Sequence, residues 1–213
     1  MPPIPELEET RRSQILLAAV KCLANHGCAN VTMAEVAEAA NLSKGGLTHY
    51  YPSKDELFKE TFKEFFRRVF DRFQAMQARV DDPEQRLYDF ELLFDPVETA
   101  DEIGDPETSL ISLGYPLLYD CMFLAAHDPE YRDLFEEWVD EWIRLLKRAL
   151  EDGVRSGVFR EMDTEAVART ISAVYQGVAT RWFLAPRGHS ISWATESYRK
   201  AIEGLMLPYK INP

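Results

Sequence analysis

A chain of 213 residues, 46% hydrophobic and 28% charged with a net charge of −12, has room for one or two small packed domains and an ordinary composition for a folded protein. It contains no run of eighteen apolar residues, and its start, MPPIPELEET, has neither a basic n-region nor an apolar h-region, so a cytoplasmic protein with no membrane partner is expected. Cys22, Cys28 and Cys121 are odd in number and lack a CxxC spacing, which argues for reduced thiols rather than a disulfide framework.

The stretch TRRSQILLAAVKCLANHG at 10–27 leads into TMAEVAEAANLSKGGLTHYYPSKDEL at 32–57, which reads as two short helices joined by a tight turn, with a third starting at once. Thr32 and Glu35 form a capping box, each satisfying a backbone N–H at a helix start near Met33. Val36, Ala37 and Ala40 share one face, and Ala37 is small enough for a second helix to cross closely over it. Asn41 stands where the chain must reverse, and asparagine is the non-glycine residue that best tolerates positive φ. Leu42 can plug the angle between the helices. Ser43 caps a second helix running from Lys44 to about Tyr51. Leu47 and one of Tyr50 and Tyr51 point inward, because neighbours on a helix diverge by about 100°. Pro52 closes this helix, and Ser53 with Glu56 forms another capping box.

The outward face of the second helix carries Lys44, Gly45, Gly46, Thr48 and His49. Two adjacent glycines in a first turn cost roughly 1 kcal/mol each relative to alanine, so a compensating role is expected. A helix tip without side chains can bring its N–H groups and positive dipole end close to phosphates or base edges.

This segment, with the helix before it, resembles the DNA-binding headpiece of the TetR family of bacterial transcriptional regulators. Residues 10–27 resemble that family's first helix, with Ile15, Leu16, Ala19, Leu23 and Ala24 as the buried stripe and Gly27 as its C-terminal cap. The resemblance is strong over about residues 10–60 and extends further only in length and helical pattern. It implies that Lys44, Gly45, Gly46, Thr48 and His49 face the major groove of double-stranded operator DNA, that Met33, Tyr50 and Lys54 approach phosphates, and that Thr32 is chiefly a cap. Lys44 suits guanine O6 or N7, Thr48 a thymine methyl or an acceptor, and His49 a phosphate oxygen. The chain departs from the family at Thr48, where tyrosine is usual.

The net charge divides unevenly. Residues 10–54 hold Arg11, Arg12, Lys21, Lys44 and Lys54 against Glu35 and Glu38, a balance of +3, which leaves −15 on the remainder. Phosphates attract one end of such a molecule and repel the other. With so few cations per head, two heads acting together are needed for useful affinity. Arg11 and Arg12 are read as lying ahead of the first helix, either as an arm reaching a groove or as solvated charges.

From Ser53 onward the signals are helical. Leu57, Phe58, Phe62, Phe65, Phe66, Val69, Phe70, Phe73 and Met76 mark a long amphipathic helix over 54–80. Asp-Pro-Glu recurs at 82–84, 105–107 and 128–130, each an N-cap, N1 proline and dipole-favoured carboxylate. Helices are expected from 128 to about Ser156, from Asp163 or Thr164 to before Pro186, and over about 192–206. The stretch 107–126 is apolar nearly all round and should run through the middle of the body with a kink at Pro116. Tyr115, Tyr119 and Phe123 flank that kink, and with Phe90, Phe94, Tyr175 and Trp182 are candidates to line a ligand cavity. Asp120 is the one charge in the stretch, to be paired with an arginine such as Arg181 or to hold a cationic ligand.

The expected fold is therefore all-α with about nine or ten helices: a helix-turn-helix DNA-binding domain over 1–52 and a helical ligand-binding and dimerisation domain over 53–213. By resemblance, the helices at about 130–156 and 164–184 form a four-helix bundle with those of a second subunit. The function read from this is a homodimeric repressor on a palindromic operator, released by a small apolar or aromatic, and in one version cationic, effector. The alternative is a DNA-tethered module whose acidic body binds a partner protein. His26, His49, His127 and His189 are scattered, and no nucleophile elbow, phosphate loop or metal cluster appears, so neither catalysis nor a cofactor is expected.

Overall fold

The computed structural model describes residues 4–94 and 110–211. These form nine helices: α1 (Ile4–His26), α2 (Met33–Ala39), α3 (Lys44–Tyr50), α4 (Lys54–Gln77), α5 (Pro83–Tyr88), α6 (Leu110–Ala125), α7 (Pro129–Arg155), α8 (Thr164–Leu184) and α9 (Ile191–Met206). Short 3-10 turns follow α5 (Asp89–Phe94) and α9 (Leu207–Tyr209). Among the described residues there is no strand, only a bridge between Phe159 and Lys210. None of the described helices is long and apolar enough to cross a membrane. The all-α expectation holds.

Capping side chains set most of these starts. The Asp82 carboxylate accepts from the Glu84 amide at 2.9 Å and Asp128 from the Glu130 amide at 2.8 Å, while the third Asp-Pro-Glu, at 105–107, lies outside the described residues. Asp163 accepts from Ala166 N–H and Ser190 from Trp193 N–H. Two boundaries differ from the expectation. α1 begins at Ile4, so Arg11 and Arg12 lie inside a helix and not on an arm ahead of it. The long helix expected over 54–80 stops at Gln77, whose buried side chain donates to the Arg86 carbonyl at 2.6 Å.

Packing divides the chain into two compact units. The first comprises the described residues up to Val69 together with Ser112–Glu136; the second takes the described residues of Phe70 to Ile111 and those from Glu137 onward. α4 passes from one to the other.

In the first unit, Ile15, Ala19 and Leu23 of α1, Val36 and Ala37 of α2, Leu47 of α3, Leu57 and Phe62 of α4, and Leu117 and Cys121 of α6 are all essentially inaccessible to water. Burying one such leucine or phenylalanine contributes roughly 1.5–3 kcal/mol. α6 remains helical through Pro116, and Gly114 admits the Phe65 ring, whose tip would lie 3.0 Å from a Cβ at that position.

The second unit is built on rings. Trp142 takes Phe70, Phe73, Phe90 and Trp138 edge-on at centroid distances of 5.0–5.6 Å. Tyr175 and Tyr198 continue the cluster through Phe90 and Phe94. The Tyr198 hydroxyl donates to the Leu87 carbonyl at 2.8 Å, which lets a fully buried phenol keep its hydrogen bond. After α7 the chain turns at Gly157, with φ of +75°, and lays Phe159 so close to Gly153 that a Cβ there would overlap the ring.

Candidate DNA-reading head and aromatic body

The helix-turn-helix is fixed by three side-chain caps. The Thr32 hydroxyl accepts from the Glu35 amide at 3.3 Å, and Glu35 Oε2 in turn accepts from the Thr32 amide at 2.7 Å, the full capping box. The Thr32 hydroxyl also donates to Glu35 Oε2 at 2.8 Å, and this bond, followed by the one from the Thr32 amide, holds the Glu35 carboxyl below its usual range. Ser43 Oγ accepts from the Gly46 amide at 3.0 Å, and Ser53 Oγ from the Glu56 amide at 3.1 Å. Between the first two caps the chain reverses at Asn41, with φ of +53°, and the Leu42 amide returns to the Ala37 carbonyl at 2.8 Å.

α3 presents a bare tip. Lys44, Gly45 and His49 are exposed, and Gly46, Thr48 and Tyr50 are half-buried. The two glycines are not equivalent. A Cβ on Gly46 would meet Ser43 Oγ at 3.3 Å and Leu42 Cδ2 at 3.4 Å, whereas one on Gly45 would find open space apart from Ser43 Oγ at 4.0 Å. Packing within the head therefore explains Gly46 and leaves Gly45 unexplained. The Thr48 hydroxyl donates to the Gly45 carbonyl at 3.1 Å, which turns its proton away from solvent. Of the tyrosine pair, Tyr51 is the buried one and Tyr50 stays half-exposed, its ring edge-on to His49.

The arginines of α1 brace this arrangement. Arg11 donates to the Asn41 carbonyl at 3.4 Å and to Gln14 Oε1 at 2.9 Å, and the Arg12 guanidinium lies 5.9 and 5.5 Å from the centroids of Tyr50 and Tyr51. Arg12, both tyrosines, Glu56, Lys59, Glu60 and Lys63 line a surface cleft of about 350 Å³. Lys54, half-buried, rests its ammonium 5.1 Å from the Phe58 ring. Met33 is half-buried and Thr32 exposed.

The eight candidate ligand contacts separate into two sets. Phe90, Phe94, Tyr175 and Trp182 come together in the second unit: Phe90 meets Tyr175 at 6.0 Å, Tyr175 stacks on Phe94 at 5.1 Å, and Trp182 meets Phe94 at 5.7 Å. Tyr115, Tyr119, Asp120 and Phe123 belong to α6 in the first unit. There Tyr115 is buried, Tyr119 is half-buried and stacked on it at 6.5 Å, and Phe123 is 68% exposed beside His127. Phe123 is thus a surface residue and not a cavity wall. The cause is geometric: each step of four residues advances 40° around a helix, so a stripe that begins inside at Tyr115 reaches the solvent two steps later.

Asp120 is the second correction. Its Oδ2 accepts from the Cys28 backbone amide at 2.7 Å, while Arg181 donates to the Gly177 carbonyl at 3.0 Å, so the expected arginine partner is replaced by a backbone N–H in the turn after α1. Asp120 is also close enough, with burial as the larger cause, to push the Cys28 thiol far above its ordinary range. Among the described residues no group of histidine, cysteine and carboxylate side chains could hold a metal ion.

Comparison with known proteins brings the two units under one description. Residues 15–61 match the model of bacterial regulatory proteins of the tetR family, and residues 117–206 match that of the BetI-type transcriptional repressor C-terminal region. The chain belongs to the TetR family. Among its relatives, the HTH-type transcriptional repressor KstR2 of Mycolicibacterium smegmatis is 26% identical over 187 residues, 85% of this chain and 83% of that one. In fold, this TetR-family chain is similar to a putative regulator from Saccharomonospora viridis solved in complex with choline, with a TM-score of 0.78, 23% identity and coverage of 92% and 96%. It is also similar to the regulator FadR of Bacillus subtilis in complex with stearoyl-CoA, with a TM-score of 0.67, 18% identity and coverage of 91% and 97%. Family members are DNA-binding transcriptional regulators and not enzymes, and this chain is one of them.

Reading the sequence of this TetR-family regulator left out the braces on its head. Arg11 and Arg12 carried a signal in retrospect, since placing them inside a helix would have turned them toward α3. Tyr131, whose hydroxyl donates to Asp55 Oδ1 at 2.9 Å, and Lys59, paired with Asp55 at 2.6 Å and with Glu130, join residues far apart in the chain and gave none.

Proposed function

We propose that the protein is a homodimeric repressor in which residues 1–52 read a palindromic operator and residues 53–213 dimerise and take up a small effector that releases the DNA. The observation that carries this reading is the exposed tip of α3 between caps: a first turn with two adjacent glycines after Lys44, of which Gly45 has no packing reason to lack a Cβ. A helix start of this kind suits close approach to a duplex. Lys44 and Thr48 then meet base edges, Gly45, Gly46 and His49 line the groove, and Met33, Tyr50 and Lys54 touch phosphates, with Thr32 as the cap. The protein works in the cytoplasm, where its operator is.

Two copies pair through α7 and α8. In support, Val174, Val178 and Trp182 of α8 stay half-exposed in the single chain, and Leu184 at its end is 59% exposed. Two heads must meet successive major grooves about 34 Å apart, so a small pivot of each spoils docking of both.

The effector is apolar or aromatic and cationic. Phe90, Phe94, Tyr175 and Trp182 form one aromatic cluster, and rings of this type attract an ammonium group that reaches them; the chain outside the head is acidic, and the Saccharomonospora viridis relative holds choline. Footprinting on the duplex upstream of the protein's own gene is the direct test: two protected half-sites about one turn apart are expected at moderate salt, and protection without sequence preference overturns the repressor reading. Choline chloride, added to that complex, is the effector probe. Release of the duplex with a change in tryptophan emission is expected, and an unchanged complex at millimolar choline rejects a cation of this type.

A further inference from the structure

The helix-turn-helix is held from outside at both of its chain ends, and the holding residues lie on α6 and at the start of α7. Ahead of α2, the turn at Gly27 and Cys28 closes α1 in the left-handed conformation, with φ of +75° at Gly27 and its amide returned to Leu23. This leaves the Cys28 N–H pointing out of the turn at a residue that is itself buried, and Asp120 Oδ2 receives it at 2.7 Å. A Cβ on Gly27 would lie 3.7 Å from the same oxygen, so the carboxylate sits directly over the Gly27–Cys28 peptide. Behind α3, at the first turn of α4, Asp55 accepts from the Tyr131 hydroxyl and is paired with Lys59, which also reaches Glu130.

Asp120 is the one charged residue between positions 110 and 126. A charge in so apolar a helix needs a reason, and a charge-assisted bond to a single backbone amide is the one that the geometry supplies. We propose that Asp120 is a positioning residue for DNA docking: it fixes the α1–α2 turn to α6, and Tyr131 fixes the start of α4, so that together they set the attitude in which α2 and α3 meet the duplex. Hydrogen bonds weaken steeply once the donor leaves its narrow range of distance and angle, so a shift of α6 by a fraction of a turn frees the head. A freed head divides its time among several attitudes, and its affinity falls by the fraction of time spent in the competent one. The inference rests on the operator-binding reading above and names the residues that make it possible.

The test measures binding of the full-length protein to the duplex upstream of its own gene by fluorescence anisotropy, with a scrambled duplex alongside, and follows amide exchange at residues 27–32. Asp120→Ala should bind about tenfold more weakly than the wild type, with faster exchange of the Cys28 amide and an unchanged folded fraction. Asp120→Asn keeps an acceptor oxygen and should stay within about threefold of the wild type. Tyr131→Phe keeps its ring against Phe62, at 5.9 Å, and should lose about threefold by itself, which holds the test open should the alanine variant not fold. Wild-type affinity in Asp120→Ala or in Tyr131→Phe, or an asparagine variant as weak as the alanine one, overturns the positioning role. A wild type that does not distinguish the two duplexes overturns the operator reading, and the positioning role with it.

Discussion

The head and the aromatic unit hold their shapes by opposite means. In the head, polar side chains act on backbone three residues away: Thr32 on Glu35, Ser43 on Gly46, Ser53 on Glu56. In the second unit, rings as distant in the chain as Phe73, Trp142 and Tyr198 are brought into one cluster, and their order follows from how whole helices pack. Local devices fix a geometry to within one rotamer and keep it when the neighbours change. A ring cluster fixes only a chemical character, and its detailed order follows the packing of the helices that carry it.

Variants can break or sharpen this contrast. Phe94→Ala should be the most damaging, because Phe94 is fully buried between Tyr175, Trp182 and Tyr198; a loss of about 3–5 kcal/mol is expected. Denaturation followed by tryptophan emission measures it, since Trp138, Trp142, Trp182 and Trp193 all lie in the second unit. Gly45→Ala should move two properties in opposite directions. Its Cβ has room, so helix propensity adds up to about 1 kcal/mol of stability, while operator affinity falls roughly tenfold. Equal affinity would show that the bare tip is not used.

Thr32→Ala should cost about 1 kcal/mol through the lost cap, seen as faster amide exchange at the start of α2 with the tryptophan transition unmoved. The smallest effect concerns acid. Asp55 is held below its ordinary carboxyl range, first by Lys59 and then by Tyr131 against a counteracting burial, so its contribution is fully present above about pH 4 and is lost as pH falls through the lowered value. Asp55→Asn should therefore flatten the acid limb of a head-specific unfolding curve, and an unchanged limb would show that the pair contributes nothing there.

What was legible in the sequence follows the same division. Thr32, Ser43, Ser53 and Asn41 act within four residues, so their roles could be read before any fold was known. Tyr51 rather than Tyr50 turned inward, as one of the pair had to. The start of α1 was not legible, because Pro5 looks like a breaker although proline is tolerated in a helix's first turn. Asp120 was visible as an anomaly, but its partner stands 92 positions away in a turn, and nothing in either segment announces the other. Phe123 was misplaced by treating a four-residue stripe as straight when it winds.

The thiol of Cys28 has a consequence for anyone handling the molecule. Burial and the Asp120 carboxylate keep it protonated, and Cys121 beside it is pushed up to about 12, so neither should react with an alkylating reagent while the turn stays closed. Every opening of that turn exposes Cys28 for as long as it lasts. The protein thus carries an intrinsic clock on its own head, read in a mass spectrometer as the rate at which the Cys28 peptide takes up an alkylating reagent.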